Sequence, residues 1–165
     1  MQRGDIMTIR PMTDKDFSEV MDIYEGARRF MRENGNATQW VNGHPSAQLV
    51  RSDIENGVGY VAEEGGQILA VFALISGDDP TYGTIDGAWR STQPYATIHR
   101  IAARPGHGAA QECIRWAAER CPHLRIDTHR DNKPMLHVIE KCGFVYCGII
   151  TIADGTPRMA FERLP

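Results

Sequence analysis

Residues 97–110 read TIHRIAARPGHGAA, and three kinds of structure meet within them. The chain from about Tyr95 to Ala103 is rich in β-branched and apolar residues and predicts a strand. Pro105-Gly106-His107-Gly108 interrupts it, and Ala110, Cys113, Ile114, Ala117, Ala118 and Cys121 then recur at helical spacing on one face. A strand feeding a Gly-rich turn at a helix N-terminus is a physical anion site, because unpaired backbone N–H groups converge there and the helix dipole favours negative charge. Gly106, Gly108 and Ala110 leave room for a phosphate, and Arg104 and His107 stand beside it. Taken alone, the same turn also reads as a simple chain reversal.

Working outward toward the C-terminus, 123–128 reads as a strand and 132–142 as a helix stopped by Gly143. Segments 144–152 and 158–163 form a last hairpin turned at Asp154-Gly155. Toward the N-terminus, 67–76 and 59–64 are strands joined through Gly65-Gly66, whose tolerance of positive φ suits a tight hairpin. Residues 77–94 carry Gly, Asp and Pro with Tyr82 and Trp89, a long turn-rich connection of the kind that carries function. Before these lie a strand at 6–11, a helix opened by Thr13-Asp14-Lys15-Asp16 with Phe17, Val20, Met21, Tyr24 and Ala27 on one face, and a second helix at 46–55. The expectation is one α/β domain of the α+β type over residues 1–165, with a mixed, mostly antiparallel sheet of about seven strands flanked by about four helices.

Composition agrees with that reading. The chain has 165 residues, 42% of them hydrophobic and 24% charged, enough for one compact core. A net charge of -3 with interspersed signs gives no polybasic face for nucleic acid or anionic lipid. Met1 to Asp5 is a short polar extension, expected to be flexible, with no apolar run behind it to act as a signal or span, so a cytoplasmic protein without membrane partners is expected. Cys113, Cys121, Cys142 and Cys147 lack CxxC pairing and ligand-like spacing with His, which argues against a metal site or a disulfide framework.

Downstream of the Gly turn, Leu124-Arg125-Ile126-Asp127-Thr128-His129, Asp131-Asn132-Lys133-Pro134-Met135 and Glu140-Lys141-Cys142-Gly143-Phe144 follow in order. With them the sequence resembles the GNAT superfamily of acyl-CoA-dependent N-acetyltransferases, most specifically over 97–148. The resemblance implies acetyl-CoA as cosubstrate, no metal, and a small-molecule or peptide amine as acceptor; a homodimer is compatible with it. It implies that pantetheine pairs with the backbone of Ile101, Ala102 and Ala103, that the pyrophosphate lies over Arg104, Gly106, His107, Gly108, Ala109 and Ala110, and that Asn132 stands near the cofactor while capping its helix. The family's phosphate motif, Gln or Arg, two residues, Gly, one residue, Gly or Ala, falls on Pro105, Gly108 and Ala110, so its first position departs here.

Acetyl transfer needs a neutral amine, a stabilised oxyanion and a proton for the leaving thiolate. His99, on the strand that resembles the thioester strand, is the preferred base, since an imidazole of ordinary pKa about 6.5 accepts an ammonium proton; the alternative is a His satisfying a backbone group in the sheet. Many relatives carry a Tyr acid seven positions after the Asn, where Ile139 stands here. That leaves Tyr146, Cys142 or water as acid, or none, although Tyr146 also reads as core packing. Trp40, Tyr82, Trp89 and Tyr95 are candidates to line the acceptor pocket or to anchor their loops, and Glu63, Glu64, Asp78 and Asp79 either attract a cationic amine or are solvated surface acids. The competing reading is a noncatalytic acyl-CoA-binding module. A dinucleotide oxidoreductase fails for want of GxGxxG, and a serine hydrolase for want of GxSxG.

Overall fold

A computed structural model describes residues 6–165, so the expected N-terminal extension lies outside the described residues. The chain runs β1 (Thr8–Pro11), α1 (Phe17–Glu33), α2 (Ala47–Glu55), β2 (Gly59–Glu64), β3 (Gln67–Ser76), β4 (Asp86–Gly87), β5 (Ala96–Ala103), α3 (Ala109–Arg120), β6 (Leu124–Thr128), α4 (Lys133–Lys141), β7 (Val145–Thr151) and β8 (Pro157–Arg163). These strands form one sheet in the order β1-β2-β3-β5-β6-β8-β7-β4. Among the described residues there are eight strands rather than the expected seven or so, because the connection at 77–94 adds the two-residue β4 against β7. Its pairing needs two glycines: a Cβ on Gly87 would strike the Cys147 carbonyl, and one on Gly148 would strike that of Asp86.

Apolar periodicity divides the helices between the two faces. Val20, Ile23 and Tyr24 of α1 and Val50 of α2 pack with Val61, Ile68, Val71 and Ala102 on one face. On the other, Ala109, Cys113, Ile114 and Ala117 of α3 and Ile139 of α4 join Leu69, Phe72, Ile98, Ile101 and Ile126. In a regular strand Ile98 and Ile101, three apart, would point to opposite faces. They share a core here because β5 bulges at Arg100, whose φ is 43°, and the β3–β5 register slips opposite the bulge.

The feature that makes room for a site is a parting of strands. β5 and β6 are parallel and pair only at Ala96↔Leu124 and Thr97↔Arg125. Among the described residues no strand pairs with that edge of β5 beyond Thr97, although its other edge stays paired to β3 as far as Ala103. Among the described residues, no helix is long and apolar enough to cross a membrane.

Candidate active site

Two cavities open where β5 and β6 diverge. One, of about 620 Å³, is walled by α1, the end of β5 and the starts of α3 and α4, and includes Ile101, Ala102, Ala103, Arg104, Gly106, Gly108, Ala109 and Ala110. The other, of about 540 Å³, lies under Trp40 and takes in Asp79, His99, Asp127 and Arg158. Met31, Ile101, Asn132 and Met135 line both, so the two spaces meet at the middle of β5.

The first cavity is built of backbone. Gly106 and Gly108 adopt φ of 87° and 65°, the left-handed region that suits glycine, and a Cβ on either would meet no protein atom within 4 Å. The first inward N–H at the start of α3 is that of Glu112, donating to the Gly108 carbonyl; the N–H groups from Gly106 to Gln111 donate to no acceptor among the described residues. Unfilled donors, an open cradle and a free strand edge are the features a diphosphate followed by an amide-bearing chain requires. Asn132 caps α4, accepting from the Met135 N–H at 3.3 Å and donating to the Gln39 Oε1 at 3.0 Å. Arg104 and His107, also expected at the phosphate, are placed differently from the glycines. Arg104 lines the groove but turns its Nε to the Ile68 carbonyl at 2.9 Å, and His107 is exposed outside the lining.

The second cavity is built of ionisable side chains. His99 lies on β5 just before the bulge and is bonded through Nε2 to Asp79 at 2.8 Å, leaving Nδ1 without a partner among the described residues. Asp79 is fixed in turn: its Oδ1 accepts from the Thr81 N–H and hydroxyl, and its own N–H donates to the Tyr95 hydroxyl. The hydrogen bond from His99 is the largest influence holding the Asp79 carboxyl down at about 2. Asp127 on β6 accepts from the Tyr82 hydroxyl at 2.6 Å, and burial pushes its pKa up. Behind the bulge, Arg100 is clamped by Asp53 of α2 through bonds of 2.7 and 2.6 Å, while its carbonyl accepts from the Tyr24 hydroxyl of α1 at 2.8 Å.

Of the four aromatic residues expected to shape the acceptor pocket, Trp40 alone lines the cavity, packed edge-on against Tyr24 and His44. Tyr82, Trp89 and Tyr95 instead form a cluster behind it with Ile150 and Ala160. The Trp89 indole donates to the Tyr82 carbonyl, and the Arg125 guanidinium lies between Trp89 and Tyr95 at 3.9 Å from each ring. Their contact with the site is indirect, through the hydroxyls of Tyr82 and Tyr95 on Asp127 and Asp79. Tyr146 lies half exposed on β7 against Phe161, away from both cavities. Ile139 is fully buried in the α3–α4 core, so α4 offers no hydroxyl at that position. Asp127 and Arg158, undistinguished by motif in the sequence, reach the cavity through strand pairing across β6 and β8.

A family model described as the acetyltransferase (GNAT) domain matches residues 7–145. The chain belongs to the GNAT acetyltransferases. A GNAT-family acetyltransferase from Streptococcus agalactiae 2603 is 32% identical, with 96% of this chain and 95% of that one aligned at a TM-score of 0.89. The fold also recurs in a GNAT-family acetyltransferase from Listeria monocytogenes 4b F2365, at 17% identity, TM-score 0.71, and coverage of 96% and 98%. It recurs again in the NatC complex bound to a Gag peptide and CoA, at 15% identity, TM-score 0.59, and coverage of 96% and 98%. No curated relative matches in sequence. This GNAT protein is therefore an acyltransferase, and acetyl-CoA is the donor its family uses.

Proposed function

We propose that this GNAT enzyme acetylates the primary amine of a small acceptor held under Trp40, with acetyl-CoA in the neighbouring groove and His99 as general base. The observation that carries the reading is the Asp79–His99 pair at 2.8 Å in the cavity that joins the groove. Bound acetyl-CoA supplies the thioester to be attacked. Ile101 to Ala103 offer the free β5 edge to the pantetheine amides, and the N–H groups of Gly106 to Ala110 meet the pyrophosphate. With Nε2–H donated to Asp79, Nδ1 of His99 is left as the acceptor for the ammonium proton, and Asp79 fixes that tautomer and stabilises the imidazolium that results.

Attack is direct, in a ternary complex. The cavities adjoin at Ile101 and Asn132, and none of the four cysteines lines either one, so no thiol is placed to carry the acetyl group between them. No side chain is assigned as acid: with Ile139 in the core and Tyr146 outside the cavities, the thiolate leaves to solvent or takes its proton from water.

The test is kcat/KM against pH for wild type, His99→Gln and Tyr146→Phe, read by thiol release, with a thermal melt of each protein. Removing a positioned base costs on the order of 10²–10⁴ in rate and abolishes the acidic limb, whereas Tyr146→Phe should stay near wild type. A folded His99→Gln enzyme with full activity and an unchanged limb would remove His99 from the mechanism.

A further inference from the structure

The acceptor cavity holds a cation that the transfer of an acetyl group does not use. Arg158, on β8, is 4% exposed and lines the cavity. It donates to the Thr156 hydroxyl at 3.0 Å, to the Pro157 carbonyl at 2.9 Å and, through its other terminal nitrogen, to the Gln39 carbonyl at 3.0 Å. These neutral groups occupy three of the five N–H donors a guanidinium carries, and among the described residues no carboxylate forms an ion pair with it. Arg125, the other arginine buried this deeply, is paired with Glu162, and Arg100 is paired with Asp53. A buried charge with no carboxylate in ion-pair contact, and only Asp127 and Asp154 acting on it at longer range, is costly to keep, and a guanidinium's planar fork matches a carboxylate in two parallel hydrogen bonds.

The same cavity also carries negative groups, while Arg100, the other arginine in its lining, is already taken up by Asp53. Asp79 and Asp127 stand on the His99 side, and among the described residues neither is paired with Arg or Lys. Asp154, also in the lining, is turned to Thr156 through its own hydrogen bonds. One small ligand satisfies both ends, with an ammonium toward Asp127 and His99 and an oxyanion on Arg158.

We infer that the acceptor is a free amino acid or a close analogue, whose amine is acetylated while its carboxylate is held by Arg158. The inference rests on the proposed acetyl transfer and adds the second group that the acceptor must carry. In this reading Arg158 is a specificity-determining residue and takes no part in proton transfer. The Gln39 carbonyl and the Thr156 hydroxyl hold the fork in place, so the segment carrying Trp40 is tied to the β7–β8 turn through the same guanidinium.

The experiment is a panel assay on the intact enzyme with acetyl-CoA. The free L-amino acids are compared, each beside its carboxamide and its decarboxylated amine, together with a polyamine and a peptide with a free N-terminus. Thiol release gives kcat and KM, and mass spectrometry locates the acetyl group. The free acids should exceed their carboxamides and decarboxylated amines by about 10- to 100-fold in kcat/KM, the worth of charge-assisted hydrogen bonds. Arg158→Gln should erase that ratio mainly through KM, and Arg158→Lys should restore part of it. A thermal shift with CoA establishes that each variant is folded; should Arg158→Gln fail to fold, the wild-type ratio and competition by the same carboxylic acids without the amine decide the matter. Efficient acetylation of uncharged amines or polyamines with no preference for the acid overturns the inference and leaves acetyl transfer standing. An unchanged ratio in a folded Arg158→Gln variant overturns it as well. No transfer to any amine overturns the proposed function itself.

Discussion

Asp79 and Asp16, two of the carboxylates with depressed pKa values, serve different ends in this protein. Asp79 positions His99, and Asp16 locks the entry to α1, where Arg10 donates to both of its oxygens at 2.7 and 2.9 Å and the Thr13 N–H adds a third bond. The hydrogen bond from Arg10 is the chief reason that the Asp16 carboxyl sits at about 2. A carboxyl whose pKa is lower folded than unfolded stabilises the fold above its unfolded value, near 4, and that stabilisation disappears as pH falls through about 2. Asp16→Asn should therefore cost about 2 kcal/mol at pH 6 and almost nothing at pH 2, measured by urea unfolding at a series of pH values. At this scale the sequence was only partly legible. His99, Trp40 and the Gly turn could be picked out by type and position, whereas Asp127 and Arg158 carry no local signature. They become neighbours only through the pairing of Asp127 with Ala160 and of β8 with β6.

The strand, helix and turn that frame the site were readable because each has strong local punctuation: Ser46 and Asn132 cap their helices, and Gly65-Gly66 turns its hairpin. The bulge in β5 was not. Residues 97–103 look like an uninterrupted strand, and the sole trace of the bulge is that Ile98 and Ile101 are both apolar at an odd spacing. Arginine does not prefer φ of 43°, so the conformation is held by its surroundings, namely Asp53 on the side chain and Tyr24 on the carbonyl. Asp53→Ala leaves a buried guanidinium unpaired and should cost about 3–5 kcal/mol, while Tyr24→Phe, which orphans one carbonyl, should cost about 1–3 kcal/mol. Chemical denaturation of each variant checks the ranking. The aromatic residues divide between a positioning cluster, Tyr82, Trp89 and Tyr95, and a pocket wall, Trp40. Trp89→Ala should lower stability with a secondary loss of rate through Asp79, and Trp40→Ala should raise the acceptor KM more than that of acetyl-CoA; equal effects on both constants from Trp40→Ala would remove it from the pocket.

For the molecule as a whole, the parting of β5 from β6 is the decisive property, because it opens the backbone of one sheet to a ligand between two helical layers. A ligand that fills that opening adds contacts to β5, α3 and α4 that the free protein lacks, so binding must appear as stability. CoA at about 100 times its dissociation constant should add about 2.7 kcal/mol, which for a chain of this size raises Tm by roughly 5–10 °C. The Gly turn allows the location of that ligand to be tested apart from damage to the fold. At Gly108 an added Cβ meets no protein atom, so Gly108→Ala bears only the strain of its left-handed φ, of order 1 kcal/mol, and should keep much of the CoA-induced rise. Gly108→Val adds branches into the space assigned to the pyrophosphate and should lose the rise even though its own melt, without CoA, stays cooperative. Calorimetric titration with CoA gives the affinity directly. A folded Gly108→Val protein that binds CoA as tightly as wild type would move the pyrophosphate away from the turn, and with it the junction at Ile101 and Asn132 on which direct transfer depends.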